Sequence, residues 1–279
     1  MNVPVTIIIH TLNEEANLPF ALDAVREWAD QICVVDSDST DGTQQIARDK
    51  GAEVYSRACN REGLVEQRNW ALENIPFRNE WVFILDADEQ MEPALKAEVE
   101  RIVRKNDHLK DGYWCRFRLV FMGVWIKRSS MYPSWSLRLF RHDLVRYEKR
   151  DVNSHPLVKA GREGYLEEHI LNEDRRGFSF YLKRLDEFST LEARAYDKRR
   201  RAIGQALLLG GRLFGNRVER RRYLKNLFIR LPFRPLLLFT YLYFIRLGFL
   251  DGRAGFDYAI FKAVCEWAIT VKHREMKLL

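Results

Sequence analysis

Trp81-Val82-Phe83-Ile84-Leu85-Asp86-Ala87-Asp88-Glu89 is the stretch on which the fold turns. Five consecutive apolar residues, too few for an ordinary helix, read as a buried strand. The carboxylates after them mark where that strand emerges, and an Asp–x–Asp spacing there puts two carboxylates on one side of the chain. Upstream, Leu64–Asn74 reads as a helix. Before it, short runs at Val5–His10, Gln31–Val35 and Glu53–Ser56 read as strands, alternating with helical stretches at Ala16–Ala29 and Thr43–Lys50. Ser39 or Asp41 can cap the second of these helices, and Gly51 can end it. Strand–helix alternation predicts a parallel sheet covered on both faces, with ligands beyond the carboxyl ends of the strands.

Downstream the pattern changes. Gly112–Phe121 and Ser136–Phe140 are strand-like, in a region crowded with aromatic and basic residues. After Asp174 the chain turns helical and cationic, with Lys198-Arg199-Arg200-Arg201 and Arg220-Arg221-Arg222. It closes on an aromatic segment from Leu224 to Lys272, broken by Pro232, Pro235 and the Gly248–Gly255 stretch.

A chain of 279 residues can bury one sizeable core, or one core and a small appendage. With 47% hydrophobic and 30% charged residues it is not generally disordered. A formal charge of +7 favours a polyanionic partner, for which nucleic acid, an anionic membrane and a phosphorylated substrate all qualify. Cys33, Cys59, Cys115 and Cys265 form no Cys-x-x-Cys pair, which argues against a zinc site or a disulfide framework and suits a reducing compartment. The first apolar run lacks a cationic lead and reads as a strand, not a signal peptide. Leu236–Ile245, between Arg234 and Arg246, is too short to span a bilayer. These features together predict a cytoplasmic protein.

The polar residues at the strand ends carry the chemistry. Thr11, Asn13 and Glu14 follow the first strand; Asp36, Ser37, Asp38, Ser39, Thr40 and Asp41 follow the second; Asp86, Asp88 and Glu89 follow the fourth. Asp and Ser are favoured turn and cap residues, and capping suffices for Asp38–Asp41. Asp86 and Asp88 directly follow a buried strand and suit a hard divalent cation, Mg²⁺ or Mn²⁺, whose other positions are filled by water and substrate phosphates. Arg68 offers a second positive clamp, or else belongs to a solvated helix face.

Four runs together resemble family 2 glycosyltransferases, in that family's order and spacing: Ile7-Ile8-Ile9-His10-Thr11-Leu12-Asn13-Glu14-Glu15, Val34-Val35-Asp36-Ser37-Asp38-Ser39-Thr40-Asp41-Gly42-Thr43, Gln67-Arg68-Asn69-Trp70-Ala71-Leu72 and Leu85-Asp86-Ala87-Asp88-Glu89. The chain is similar to the subgroup that builds bacterial lipopolysaccharide core and surface polysaccharide, including the lipooligosaccharide glucosyltransferase type. Arg138-Leu139-Phe140-Arg141, Glu173-Asp174-Arg175-Arg176 and Gly248-Phe249-Leu250-Asp251-Gly252 fit that subgroup more loosely. Asp38 departs from the family, which more often has a small residue there.

The resemblance implies an α/β GT-A fold, a Rossmann-like, mostly parallel sheet with helices on both faces. Residues 1–175 would form the catalytic domain, with a nucleotide-sugar half to about residue 95 and an acceptor half beyond it. Residues 176–279 would form a helical, membrane-associating region. The resemblance implies inversion at the anomeric carbon and a nucleotide-sugar donor, UDP by family analogy. Thr11, Asn13, Glu14, Asp36, Ser37, Arg68 and Asp86 would bind that donor, with Asp86 and Asp88 on the metal. An inverting transfer needs a base for the acceptor hydroxyl. The family draws it from a downstream acidic pair, here Glu173-Asp174, with Asp174 favoured; the competing reading of Asp174 is a helix N-terminal carboxylate. Trp135, Arg138, His155 and His169 are candidates for the acceptor side.

Leu236–Leu247 can lie in a membrane plane with Arg230, Arg234 and Arg246 at the headgroups, as a lipid-linked acceptor would require. A helical hairpin packed on the catalytic domain, or a homo-oligomer interface, is the other reading. The expectation is a peripheral protein on the inner face of the bacterial cytoplasmic membrane. A nucleic-acid- or anionic-lipid-binding protein without transferase activity would explain the basic runs but not three acidic clusters, so no nucleic-acid partner is expected. A dehalogenase-type phosphatase would carry Asp–x–Asp on its first strand.

Overall fold

The structure, a computed structural model, describes residues 2–58, 64–106, 108–130, 132–147, 156–158, 161–208, 231 and 233–278. Contacts gather into two units, Met1–Val120 with Tyr132–Arg175, and Phe121–Met131 with Arg176–Leu279.

In the first unit β1 (Val3–Thr11), α1 (Leu18–Val25), β2 (Ala29–Asp36), α2 (Thr43–Asp49), β3 (Glu53–Ser56), α3 (Leu64–Asn74) and β4 (Trp81–Asp86) follow the alternation read from the sequence. Helix α1 is shorter than the stretch Ala16–Ala29, because Ala29 already pairs with Val3 as β2 begins. There follow β5 (Glu89–Gln90), α4 (Pro93–Lys105), β6 (Gly112–Phe121), then, past β7 (Val124–Trp125), β8 (Trp135–Arg141), β9 (Arg146–Tyr147), β10 (Pro156–Leu157) and β11 (Glu163–Glu173). The sheet order is β3-β2-β1-β4-β8-β6-β11-β5, while β9 and β10 pair separately.

Strands β3, β2, β1 and β4 are mutually parallel, as expected. Strand β8 then runs antiparallel between β4 and β6, and β11 pairs parallel with β6. Side-chain alternation fills both faces. Val3, Val5, Ile7 and Ile9 of β1, with Trp81, Phe83 and Leu85 of β4, pack with α1 and α4. Ile8, Val82 and Ile84 pack the other way, against Ala71, Leu72 and Ile75 around α3. Covered faces direct the polar groups to the strand ends, where β1, β2 and β4 all stop.

The second unit contains α5 (Phe178–Leu208), α6 (Arg234–Thr240), a π-helical turn Tyr241–Ile245, a 3₁₀ turn Gly248–Asp251 and α7 (Gly252–Leu278). Phe121 sits in an aromatic cluster with Phe178, Tyr181, Tyr258 and Phe261. A Cβ on Gly255 would fall 2.2 Å from the Gly248 carbonyl, so only glycine permits that approach. Asp251 accepts the backbone N–H groups of Arg128 and Ser129 at 2.8 and 3.0 Å. Among the described residues no single helix is long and apolar enough to cross a membrane; Arg234–Ile245 with Gly248–Leu278, bent by 72°, passes that test only as a pair.

Candidate active site

The loops after β1 and β2 are tied to each other by short polar side chains. Asp36 is fully buried, and its carboxylate accepts from Thr11 Oγ1 at 2.8 Å, Ser39 N at 2.8 Å, Ser39 Oγ at 2.6 Å and Gln44 Nε2 at 2.7 Å. Asn13, with φ of 56°, turns its carbonyl oxygen to Thr40 N at 2.8 Å. Asp38 also has positive φ, at 59°, a conformation that Asp tolerates better than most residues. Asp41 Oδ1 accepts the Thr43 N–H at 3.0 Å in a turn leading into α2, but the N-cap position itself is Gly42, with no side-chain cap bond, and not Ser39 or Asp41 as expected. Gly51, with φ of 80°, follows the end of that helix. Ser37 is buried beneath Gln67, whose Nε2 donates to its hydroxyl at 2.7 Å.

At the end of β4 the charges alternate in sign. Arg138, only 5% exposed, donates through Nη2 to Asp86 Oδ2 and to Glu89 Oε1, both at 2.7 Å. Arg68 approaches the other oxygen of Asp86 at 3.7 Å and lies 5.3 Å from the Tyr147 ring centre. Glu89 Oε2 accepts the backbone N–H of Asp86 at 2.8 Å, closing the Asp–Ala–Asp–Glu turn on itself. Burial tends to raise the Asp86 pKa, but Arg138 and Arg68 outweigh it and hold the carboxyl well below the usual range. Burial dominates at Glu89 and pushes its pKa up to about 8. On the neighbouring strand, burial next to Arg68 lowers His10 to about 3, so this imidazole is neutral at physiological pH.

The third element is the end of β11. Strand β5 pairs antiparallel with β11, Asn172 opposite Glu89, and the Glu173 N–H donates to the Asp88 carbonyl at 2.8 Å. The acidic pair Glu173-Asp174 is thereby held against the Asp–x–Asp turn by main-chain bonds.

 

The Glu173 carboxylate forms an ion pair with Arg175 at 2.5 Å. Asp174 Oδ1 accepts from Asn17 Nδ2 at 3.2 Å, and the same amide nitrogen donates to Glu14 Oε2 at 2.9 Å. Residues from the ends of β1, β4 and β11 thus meet in one region.

The acceptor-side candidates do not share one place. Trp135 is exposed, edge-to-face with Tyr165 at 5.1 Å and 5.8 Å from the Arg116 guanidinium. His169 lies 3.8 Å from Glu92. Arg138 is not on an open surface: its guanidinium is committed to Asp86 and Glu89, which suits a role in positioning Asp86. His155 lies outside the described residues.

A family model described as Glycosyl transferase family 2 matches residues 6–168, more than half of the chain. The chain belongs to glycosyl transferase family 2. An uncharacterized glycosyltransferase of Rickettsia typhi is 34% identical over 129 residues, covering 46% of this chain and 42% of that protein. The lipopolysaccharide core biosynthesis glycosyltransferase LpsC of Rhizobium meliloti is 28% identical over 165 residues, covering 58% of this chain and 60% of LpsC. The chain therefore spans less than two thirds of the length of these curated relatives. Among solved structures, S. aureus TarS 1–349 in complex with UDP-GlcNAc is 17% identical with a TM-score of 0.44, covering 94% of this chain and 90% of that one.

For a family 2 chain, the oxygen-only donor set of Asp86 and Asp88 fits a hard divalent cation. Among the described residues no three His, Cys, Asp or Glu side chains cluster in a way that could hold a metal alone. Two residues with evident structural importance drew no role from the sequence. Glu89 was visible only as part of its motif, and Asn17 carried no signal beyond an amide near a helix start.

Proposed function

We propose that the chain transfers a sugar, with inversion, from a nucleotide diphosphate donor to a glycan acceptor. The observation that carries this reading is the junction of the Asp86–Asp88 turn with the end of β11, fixed by the Glu173 N–H to Asp88 carbonyl bond. Asp88, with Asp86, would hold a divalent cation, which when bound supplies positive charge to the departing diphosphate. Arg68 adds a guanidinium on the same side. Asp174 takes the proton of the acceptor hydroxyl as its oxygen bonds to the anomeric carbon and the bond to the diphosphate breaks. Trp135 offers a flat face to a sugar ring.

Similarity to LpsC supports a lipopolysaccharide-type acceptor. Membrane contact is supported by the exposed Phe233, Leu236, Phe244, Ile245 and Leu250 of the second unit. Arg220–Arg222 and Arg230 lie outside the described residues. Flotation with phosphatidylglycerol vesicles should carry the protein upward, and an Ile245→Ser/Phe244→Ser variant should stay below. A wild type that stays below in the presence of the vesicles would remove the membrane part of the reading.

Calorimetric titration with UDP and GDP, with and without Mn²⁺, tests the donor site directly. The expected result is Mn²⁺-dependent binding of one nucleotide. Binding of neither would sink the transferase reading.

A further inference from the structure

Asn17 is 2% exposed and uses its whole side chain in bonds across the site. Its Nδ2 donates to Glu14 Oε2 at 2.9 Å and to Asp174 Oδ1 at 3.2 Å, and its Oδ1 accepts the backbone N–H of Arg175 at 2.8 Å. The partners fix the amide orientation, since two carboxylates require the NH₂ and a main-chain N–H requires the carbonyl. Asp174 lies 157 residues further along the chain, so these bonds join the end of β11 to the loop after β1. No sequence-local need explains them. The backbone at the start of α1 is satisfied separately, with Asn17 N and Leu18 N both donating to the Glu14 carbonyl at 3.0 and 2.8 Å.

We propose that Asn17 is a positioning residue: its amide holds the Asp174 carboxylate in register with Glu14, and so sets the proton acceptor against the donor site. This rests on the assignment of Asp174 as the base. A single NH₂ group that donates to both carboxylates fixes the spacing between them. A base displaced by about 1 Å can lose about 100-fold in rate, so a residue that touches no substrate can still govern turnover.

The test is a double-mutant cycle on UDP release from UDP-glucose, UDP-galactose and UDP-N-acetylglucosamine with Mn²⁺, using Asn17→Ala, Asp174→Asn and their combination. Asn17→Ala is expected to lower kcat about 10- to 100-fold in the wild-type background. In the Asp174→Asn background it should add no more than about twofold, because residues acting as a unit are not additive. Asn17→Asp keeps the acceptor for the Arg175 N–H but replaces the shared NH₂ with a third carboxylate, so it should lose turnover at least as far as Asn17→Ala, and a thermal melt of each variant shows that it is folded. Multiplying effects in the cycle, or full turnover by Asn17→Asp, would overturn the inference. Wild-type turnover by Asp174→Asn would instead sink the base assignment beneath it, and a wild type that acts on none of the three donors would sink the UDP-donor reading.

Discussion

Asp88→Ala is expected to abolish Mn²⁺-dependent nucleotide binding and to lower turnover by about 100-fold or more. A catalytic cation supplies several kcal/mol of charge stabilisation, and each 1.36 kcal/mol is about tenfold in rate. The effect should exceed that of any single change on the β1 or β2 loops, where Asp36 has four hydrogen-bond donors and acts within the loop itself. Folding should survive, because the bond that joins this turn to β11 uses the Asp88 main-chain carbonyl and not its side chain. Asp88→Asn should share the loss, since a neutral amide of the same shape is a poor ligand for a hard cation. Calorimetry with UDP and Mn²⁺ beside a thermal melt separates the two effects. Unchanged Mn²⁺-dependent binding in Asp88→Ala would take the metal away from this position.

What could be read in advance was what is local. The runs at β1, β2 and β4 announce themselves through consecutive apolar residues, and Thr43–Asp49 through its flanking Asp41 and Gly51. The insertion of β8 between β4 and β6 was not legible, because it depends on pairings such as Trp81 with Arg141 that no local pattern encodes. The same limit applies at the site. Asp86 and Asp88 stand out beside their strand, whereas the contact of Asn17 with Asp174 exists only once β11 has paired with β5. Arg138 shows the same limit. An arginine in a basic, aromatic stretch is expected at the surface, and only the folded chain shows the two carboxylates that allow its burial.

Arg138→Met should be the most destabilising single change in the first unit. It keeps much of the side-chain volume but removes the cation between Asp86 and Glu89, and breaking one side of a buried charge cluster costs about 3–5 kcal/mol. Asp86 would retain Arg68 at 3.7 Å, while Glu89, 2% exposed, would lose the Arg138 guanidinium at 2.7 Å. Glu89→Gln should cost far less, because the folded chain already holds the Glu89 proton to about pH 8. Adding Glu89→Gln to Arg138→Met should therefore change little at pH 5 and recover stability only at alkaline pH, where Glu89 would otherwise have to ionise without Arg138. The sign of the pH dependence follows from the same shift. Between the ordinary Glu value of 4.5 and about 8 the folded state binds a proton that the unfolded state has released. This contribution to stability is present at low pH and declines as pH rises through that window. Guanidinium unfolding at pH 5 and pH 8 should show the decline in wild type, a steeper one in Arg138→Met, and a flatter profile in either variant carrying Glu89→Gln. Equal stability of wild type and Arg138→Met at both pH values would mean that the Arg138 charge does not hold the Asp–Ala–Asp–Glu turn together.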